Sequence, residues 1–337
     1  MKTYLDKNVY EAALERIAYC FQEFDNVLVA FSGGKDSGVL LNLCYNYADE
    51  HGLLDKLTMY HLDYEAQYQM TTEYVTRTFL EQFPGIRKMW YCVPIKAQSA
   101  CALGEPYWTP WDAAKKKLWV RAMPENPYVV HEGNLDVPFR HGMVDYEFQD
   151  KLSRHFAKKR GTTAVMVGLR ADESLNRYAA VARGKKRRSY EGRKWITQTS
   201  AVTANVYPLY DWRVSDIWTA TARFGFDYNR LYDLLYQAGL TAGQMRVASP
   251  FNDCAQESLK LYKVIDPSNW ARMIGRVNGV NFTGLYGGTT AMGWKTIKLP
   301  PGHTWKSYYE FLLSTMDART AAHYNNILEK SKRYWMQ

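Results

Sequence analysis

Cysteine is scarce in this 337-residue chain, and the five present are scattered. Cys20, Cys44, Cys92, Cys101 and Cys254 make no Cys-x-x-Cys pair and no metal-spaced cluster. Neither a disulfide framework nor a zinc or iron–sulfur site is therefore expected, and a reducing, cytoplasmic setting is. Long apolar runs are missing too: nothing approaches the roughly 18 residues of a membrane span. Met1 to Asp6 has no apolar core of a signal peptide. Two nucleotide fingerprints are also absent, the Walker A spacing Gly-x-x-x-x-Gly-Lys-[Ser/Thr] and the dinucleotide loop Gly-x-Gly-x-x-Gly.

What is present is globular in composition, with 47% hydrophobic and 23% charged residues. The length suits one large domain, or one domain with an appendage, and can bury a substantial core. The net charge of +9 is uneven. Arg183 to Lys194 carries seven basic residues and one acid, so this stretch alone is +6 and the rest of the chain only +3. Such a stretch reads as a lid over phosphate, a nucleic-acid contact or a solvated loop.

The organising stretch is Val27-Leu28-Val29-Ala30-Phe31-Ser32-Gly33-Gly34-Lys35-Asp36-Ser37. Val27 to Phe31 is an apolar run of strand length stopped by glycine. Gly33 and Gly34 permit a tight turn and close approach of a ligand to the backbone. Val39, Leu40, Leu41 and Leu43 then suit one face of a helix. A helix N-terminus behind a glycine turn attracts anions, because unpaired N–H groups and the helix dipole point into it. Lys35 adds a mobile positive charge, Ser32 and Ser37 add hydroxyls, and Asp36 can hold a metal or cap the helix. The stretch reads as a phosphate-binding loop.

Around it the pattern alternates. Helices are expected over Val9–Glu23, from the loop to about Asp49, over Thr71–Phe83 with Thr71 or Thr72 near the N-cap, and over Tyr146–Lys159. Strands are expected at Leu57–Asp63, Met89–Val93 and Thr163–Gly168. Pro94 to Met143 interrupts the alternation with six prolines and reads as a substrate-side insertion. Arg170 and Arg177, seven apart after a strand and Gly168, would share a face if both were helical. They suit either bidentate phosphate recognition or ordinary surface ion pairs. Asp211 and Asp216 can each serve as cap or ligand. Residues after about 220 read as mainly helical.

Ser32-Gly33-Gly34-Lys35-Asp36-Ser37 resembles the PP-loop of the N-type ATP pyrophosphatase and phosphoadenosine-phosphosulfate (PAPS) reductase superfamily. Three further segments match in order: His61-Leu62-Asp63-Tyr64 with Thr72-Glu73; Gly168-Leu169-Arg170 with Glu173-Ser174 and Arg177; and Pro208-Leu209, Asp211-Trp212 and Asp216-Ile217-Trp218. The resemblance implies a doubly wound, mainly parallel α/β domain over residues 1–220, with its insertion at about 94–143, and a helical region over 221–337. It implies an adenine nucleotide, ATP or alternatively PAPS, bound by Ser32, Gly33, Gly34, Lys35, Asp36, Ser37, Asp63, Gly168, Arg170, Glu173 and Arg177. Lys35, Asp36, Asp63 and Arg170 would carry the chemistry, with Asp36 or Asp63 holding Mg²⁺. The Glu-Cys-Gly-x-His segment of true PAPS reductases is absent, leaving Cys254 as the one late thiol for sulfur chemistry. Pro250 to Leu259 and Gly287 to Trp294 resemble immunoglobulin-binding-regulator A-like proteins of bacteria and phages, which are often paired with a ParB/sulfiredoxin-like companion. The resulting expectation is an enzyme that breaks the α–β bond of ATP and adenylates an acceptor. Reduction of PAPS or adenylylsulfate, or sulfur transfer, is one alternative, and a nucleotide-binding regulator that contacts nucleic acid through Arg183–Lys194 is the other.

Overall fold

The computed structural model describes residues 6–335 except 103, 183–188, 246, 257, 288 and 293–297. The chain opens with helix α1 (Val9–Glu23), capped by Asn8, whose Oδ1 accepts the Glu11 N–H while Glu11 accepts the Asn8 N–H. There follow β1 (Asn26–Ala30), α2 (Lys35–Glu50), β2 (Leu57–Leu62), α3 (Gln69–Glu81) and β3 (Arg87–Cys92). The proline-rich stretch holds three short strands, β4 (Ala97–Gln98), β5 (Tyr107–Trp108) and β6 (Val129–His131), and a 3-10 turn at Ala113–Leu118. Then come α4 (Asp145–Arg160), β7 (Thr163–Val167), α5 (Leu175–Ala182), β8 (Ser189–Tyr190), β9 (Arg193–Gln198), β10 (Thr203–Val206), α6 (Val214–Phe224) and α7 (Leu231–Gln237). Short helices α8 (Tyr262–Ile265), α9 (Pro267–Arg276) and α10 (Val280–Tyr286) follow.

Among the described residues, eight strands form one sheet in the order β6-β3-β2-β1-β7-β10-β9-β8. The first six in that order run parallel, β9 is antiparallel to β10, and β8 is antiparallel to β9. β1 pairs with β2 on one side, with Val27 opposite Leu57, and with β7 on the other, with Val27 opposite Ala164. The chain winds outward from β1 through β2 and β3, then returns to β1's other flank. The order reverses between β1 and β7, and in such sheets ligands sit outside the carboxyl ends of the strands at this point.

Alternate residues of β1 face opposite sides, as strand geometry requires. Val27 and Val29 join one core with Ile17, Leu40, Phe79, Trp212 and Ile217, under α1, α2, α3 and α6. Leu28 joins the other with Tyr91, Phe148, Leu152 and Val165, under α4. Helices thus cover both faces, as a doubly wound sheet requires.

The chain forms two compact units, residues 1–288 and 289–337. In the first, a third apolar cluster packs Leu231, Tyr232, Val247, Phe251 and Met273 with Ala66, Tyr68 and Trp108. Residues 231–280 thus pack against the end of β2 and the insertion. The second unit carries α11 (Trp305–Ser314) and α12 (Ala318–Trp335). No helix among the described residues is long and apolar enough to cross a membrane.

Candidate functional site

The glycine turn lies at the switch point between β1 and β7. Gly33 has φ +76°, and a Cβ there would sit 2.9 Å from Val75 and 3.2 Å from Thr71, so this position requires glycine. Ser37 ties the turn to the helix. Its Oγ donates to the Gly34 carbonyl at 3.0 Å and accepts the Ser32 N–H at 3.1 Å. No side chain caps α2 from the Gly34 N-cap position, which leaves its first-turn N–H groups to other acceptors. Gly168 matters for close approach. A Cβ on it would meet the Asp36–Ser37 backbone at 3.0 Å, so glycine lets the end of β7 rest against the first turn of α2.

That approach brings Arg170 to the loop. Its Nε donates to Asp36 Oδ1, and its Nη1 to Asp172 Oδ1 at 2.5 Å. Lys35 Nζ donates to Asp36 Oδ2 at 2.9 Å. Lys35 is buried and its ammonium lies 5.4 Å from the centre of the Tyr232 ring. Burial raises the Asp36 carboxyl's pKa, but Lys35 and Arg170 more than offset this and hold it below the ordinary carboxylate value.

Arg170 and Arg177 do not share a helix. Arg170 precedes α5 while Arg177 lies within it, and Arg177 Nε pairs with Glu173 at 3.1 Å. Of the two, Arg170 is the one the fold joins to the glycine turn, through Asp36.

Asp63 departs most from expectation. It is fully buried, and its carboxylate is saturated. Arg121 Nη2 reaches both oxygens at 2.6 and 2.5 Å, Trp90 Nε1 donates at 2.7 Å, and the Glu65 N–H at 2.8 Å. A carboxylate with its lone pairs so occupied does not fit a magnesium ligand. Burial pushes its pKa up, but Arg121 outweighs this and holds it low. Asp63 thus fastens the insertion, which supplies Arg121, to the end of β2.

Two residues on, Glu65 does the same on a larger scale. It is fully buried with φ +62°, and its carboxylate accepts the Trp111 N–H at 2.6 Å, the Val120 N–H at 3.0 Å and Arg276 Nε and Nη2 at 2.8 and 2.9 Å. Trp111 also has positive φ, +55°. A non-glycine backbone persists in this region only when its surroundings over-determine it. Here one carboxylate joins the strand end, the insertion and α9. Neither Glu65 nor its partners carried a local sequence signal.

The expected Asp-Trp segment is an anchor. Asp211 takes both Arg16 Nη atoms at 2.8 and 2.6 Å, Trp212 Nε1 donates to the Val9 carbonyl at 2.9 Å, and Asp216 accepts the Arg213 N–H at the start of α6. For α3 the cap comes from a distance: neither Thr71 nor Thr72 supplies it, and Asp266 accepts the Gln69 N–H at 2.8 Å.

Three unforeseen residues reach the loop from the chain after α6. Asn229 Nδ2 donates to the Gly33 carbonyl at 3.2 Å and to Thr71 Oγ1 at 2.9 Å. Tyr232 Oη accepts the Lys35 N–H at 3.1 Å. Val247 lies 3.5 Å from where a Gly34 Cβ would stand. The Cys254 side chain and residues 183–188 lie outside the described residues. Arg193, at the end of the basic stretch, stacks over Tyr19 at 4.0 Å and pairs with Glu191. Burial raises the thiol pKa of Cys20, Cys44, Cys92 and Cys101, which disfavours nucleophilic thiolate at any of them.

Comparison with known proteins places the chain. A domain of unknown function, DUF3440, matches residues 239–337. The protein YbdN of Escherichia coli K12, itself described as uncharacterised, is 35% identical over 327 residues, 96% of this chain and 79% of YbdN. Among solved structures, PAPS reductase from Candida auris aligns with a TM-score of 0.37 and 13% identity over 69% of this chain and 93% of that one. Ammonia-dependent NAD synthetase from Campylobacter jejuni aligns with a TM-score of 0.31 and 10% identity over 87% of this chain and all of that one. The phosphoadenosine phosphosulfate reductase domain profile matches residues 26–238, from β1 through α7, and the chain belongs to that family.

Proposed function

We propose that the chain binds ATP at the glycine turn, breaks its α–β bond and adenylates an acceptor. One observation carries this reading: a helix N-terminus that its own N-cap residue, Gly34, leaves uncapped, at the sheet's switch point, flanked by the two cations Lys35 and Arg170. An acceptor nucleophile attacks the α-phosphorus, the bond to the bridging oxygen breaks, and pyrophosphate leaves with the electron pair. Catalysis of this kind is chiefly positioning and charge stabilisation.

Ser32, Gly33, Gly34 and Ser37 cradle the β- and γ-phosphates, and Lys35 neutralises charge on the leaving group. Arg170 exchanges Asp36 for a phosphate oxygen, and Glu173 orients Arg177. Mg²⁺ arriving with the nucleotide would meet Asp36, since Asp63 is closed. PAPS reduction through Cys254 is the second reading, supported by family membership. A ParB/sulfiredoxin-like companion and nucleic acid bound through Arg183–Lys194 are the partners this reading allows.

The test is pyrophosphate release from ATP by intact protein across amine, carboxylate, hydroxyl and thiol acceptors, with PAPS plus a thiol reductant run in parallel. Release that Lys35→Ala abolishes at unchanged melting temperature supports adenylation. No release with any acceptor overturns it, and thiol-dependent sulfite from PAPS favours the second reading.

A further inference from the structure

We infer that Tyr232 is a phosphate-recognition residue of the glycine turn, its hydroxyl held by the Lys35 N–H and donating its own proton to a terminal phosphate oxygen of the nucleotide. The inference rests on the nucleotide reading above and assigns a residue outside the loop motif.

The first support is hydrogen-bond accounting. A phenol has one proton to donate and lone pairs to accept with. In Tyr232 the acceptor side takes the N–H of Lys35, the first residue of α2, at 3.1 Å. Its proton has no acceptor among the described contacts. A buried donor left unsatisfied costs about 1–3 kcal/mol, and Tyr232 is only 4% exposed. A phosphate oxygen seated at the turn supplies the missing acceptor.

The second support is the cradle. The point where a Gly34 Cβ would stand lies 3.3 Å from Ser32 Oγ and 3.4 Å from Tyr232 Oη. Two hydroxyls from distant parts of the chain thus converge beside Gly34, where Val247 at 3.5 Å completes the lining. The phenol is also fixed in place: its ring meets Trp218 edge-on with centroids 5.4 Å apart, and Lys35 Nζ lies 5.4 Å from its centre. Asn229, three residues earlier, holds the Gly33 carbonyl and so sets the hydroxyl's distance from the turn. Burial, with Asp36 nearby, keeps the phenol's pKa high, so it remains a donor at neutral pH.

The experiment compares wild type and Tyr232→Phe, which keeps the ring and removes only the hydroxyl, by calorimetric titration with ATP, AMP and adenosine. The expected result is ATP affinity about tenfold weaker, the loss of one hydrogen bond to a charged oxygen, with adenosine affinity unchanged. Unchanged or tighter ATP binding overturns the inference, the latter marking the hydroxyl as a plug that phosphate must displace. Equal loss for adenosine also overturns it, because the ring would then be merely structural. If wild type binds no adenine nucleotide, the nucleotide reading itself fails. Should Tyr232→Phe not fold, 3-fluorotyrosine placed at position 232 alone keeps the packing and makes a stronger donor. Tighter ATP binding with adenosine unchanged then supports the inference, and no change refutes it.

Discussion

Replacing Arg276 by Met probes the joint that holds three parts of the first unit together. The guanidinium donates to both Glu65 oxygens at 2.8 and 2.9 Å and to the Thr109 carbonyl at 2.6 Å. The two paired side chains are 2% and 0% exposed, so solvent screens little of the interaction. Methionine keeps most of the stem's packing and removes the charge. Glu65 then retains the Trp111 and Val120 N–H donors but no counter-charge. Breaking one partner of a buried pair costs about 3–5 kcal/mol. At about 2–4 °C per kcal/mol for a domain of this size, the melting temperature should fall by about 6–20 °C. Arg276→Lys, which keeps a charge but loses the two-pronged geometry, should fall between. Calorimetric melting of the full chain reads the effect, and limited proteolysis should show faster cutting within 94–143, where Trp111 and Val120 lose their fixed acceptor. A shift under about 2 °C for the Met variant would refute the claim that this pair is a main fastening of the unit.

Two further outcomes follow from the same geometry. Gly168→Ala should destabilise by about 1–3 kcal/mol by overpacking, because the new methyl meets the Asp36–Ser37 backbone at 3.0 Å; a variant as stable as wild type in urea denaturation would contradict this. For Asp63, burial raises the pKa and Arg121 more than compensates, so the folded value lies below the unfolded one. Its stabilisation is therefore complete above about pH 4 and is lost as pH falls through the folded value. The stability gap between wild type and Asp63→Asn should be flat from about pH 5 to 8 and narrow in acid. A gap that widens on acidification would reverse the sign.

The strand–turn–helix at Val27–Leu43 was legible in the sequence because its signals are local: an apolar run, two glycines and a resumed 3.6-residue period. The expected strand, Val27–Phe31, and the expected helix end at about Asp49 fall within one residue of β1 and of the end of α2. β10 was not legible. Its four residues, Thr203–Val206, carry no strong period, and what makes them a strand is their place between β7 and β9. α10 holds Gly284 and is flanked by Gly279 and Gly287, residues that disfavour a helix locally, and its buried face is Val280, Thr283 and Gly284.

The site divides the same way. That residues Ser32 to Ser37 form a tight turn between a strand and a helix follows from residue types in a row, and so the sequence alone determined it. Position alone also suggested a role for Asp63, an acid at a strand's carboxyl end. What that acid does depends on Arg121, far along the chain, which converts a candidate metal ligand into a fastening. Arg170 reaches Asp36 because β7 lies beside β1, a fact of sheet order. Tyr232 and Asn229 reach the turn because the chain after α6 folds back through a shared apolar cluster. Contacts across such distances depend on how hydrophobic faces pair in three dimensions, which no local pattern encodes, and only the tertiary structure decided them.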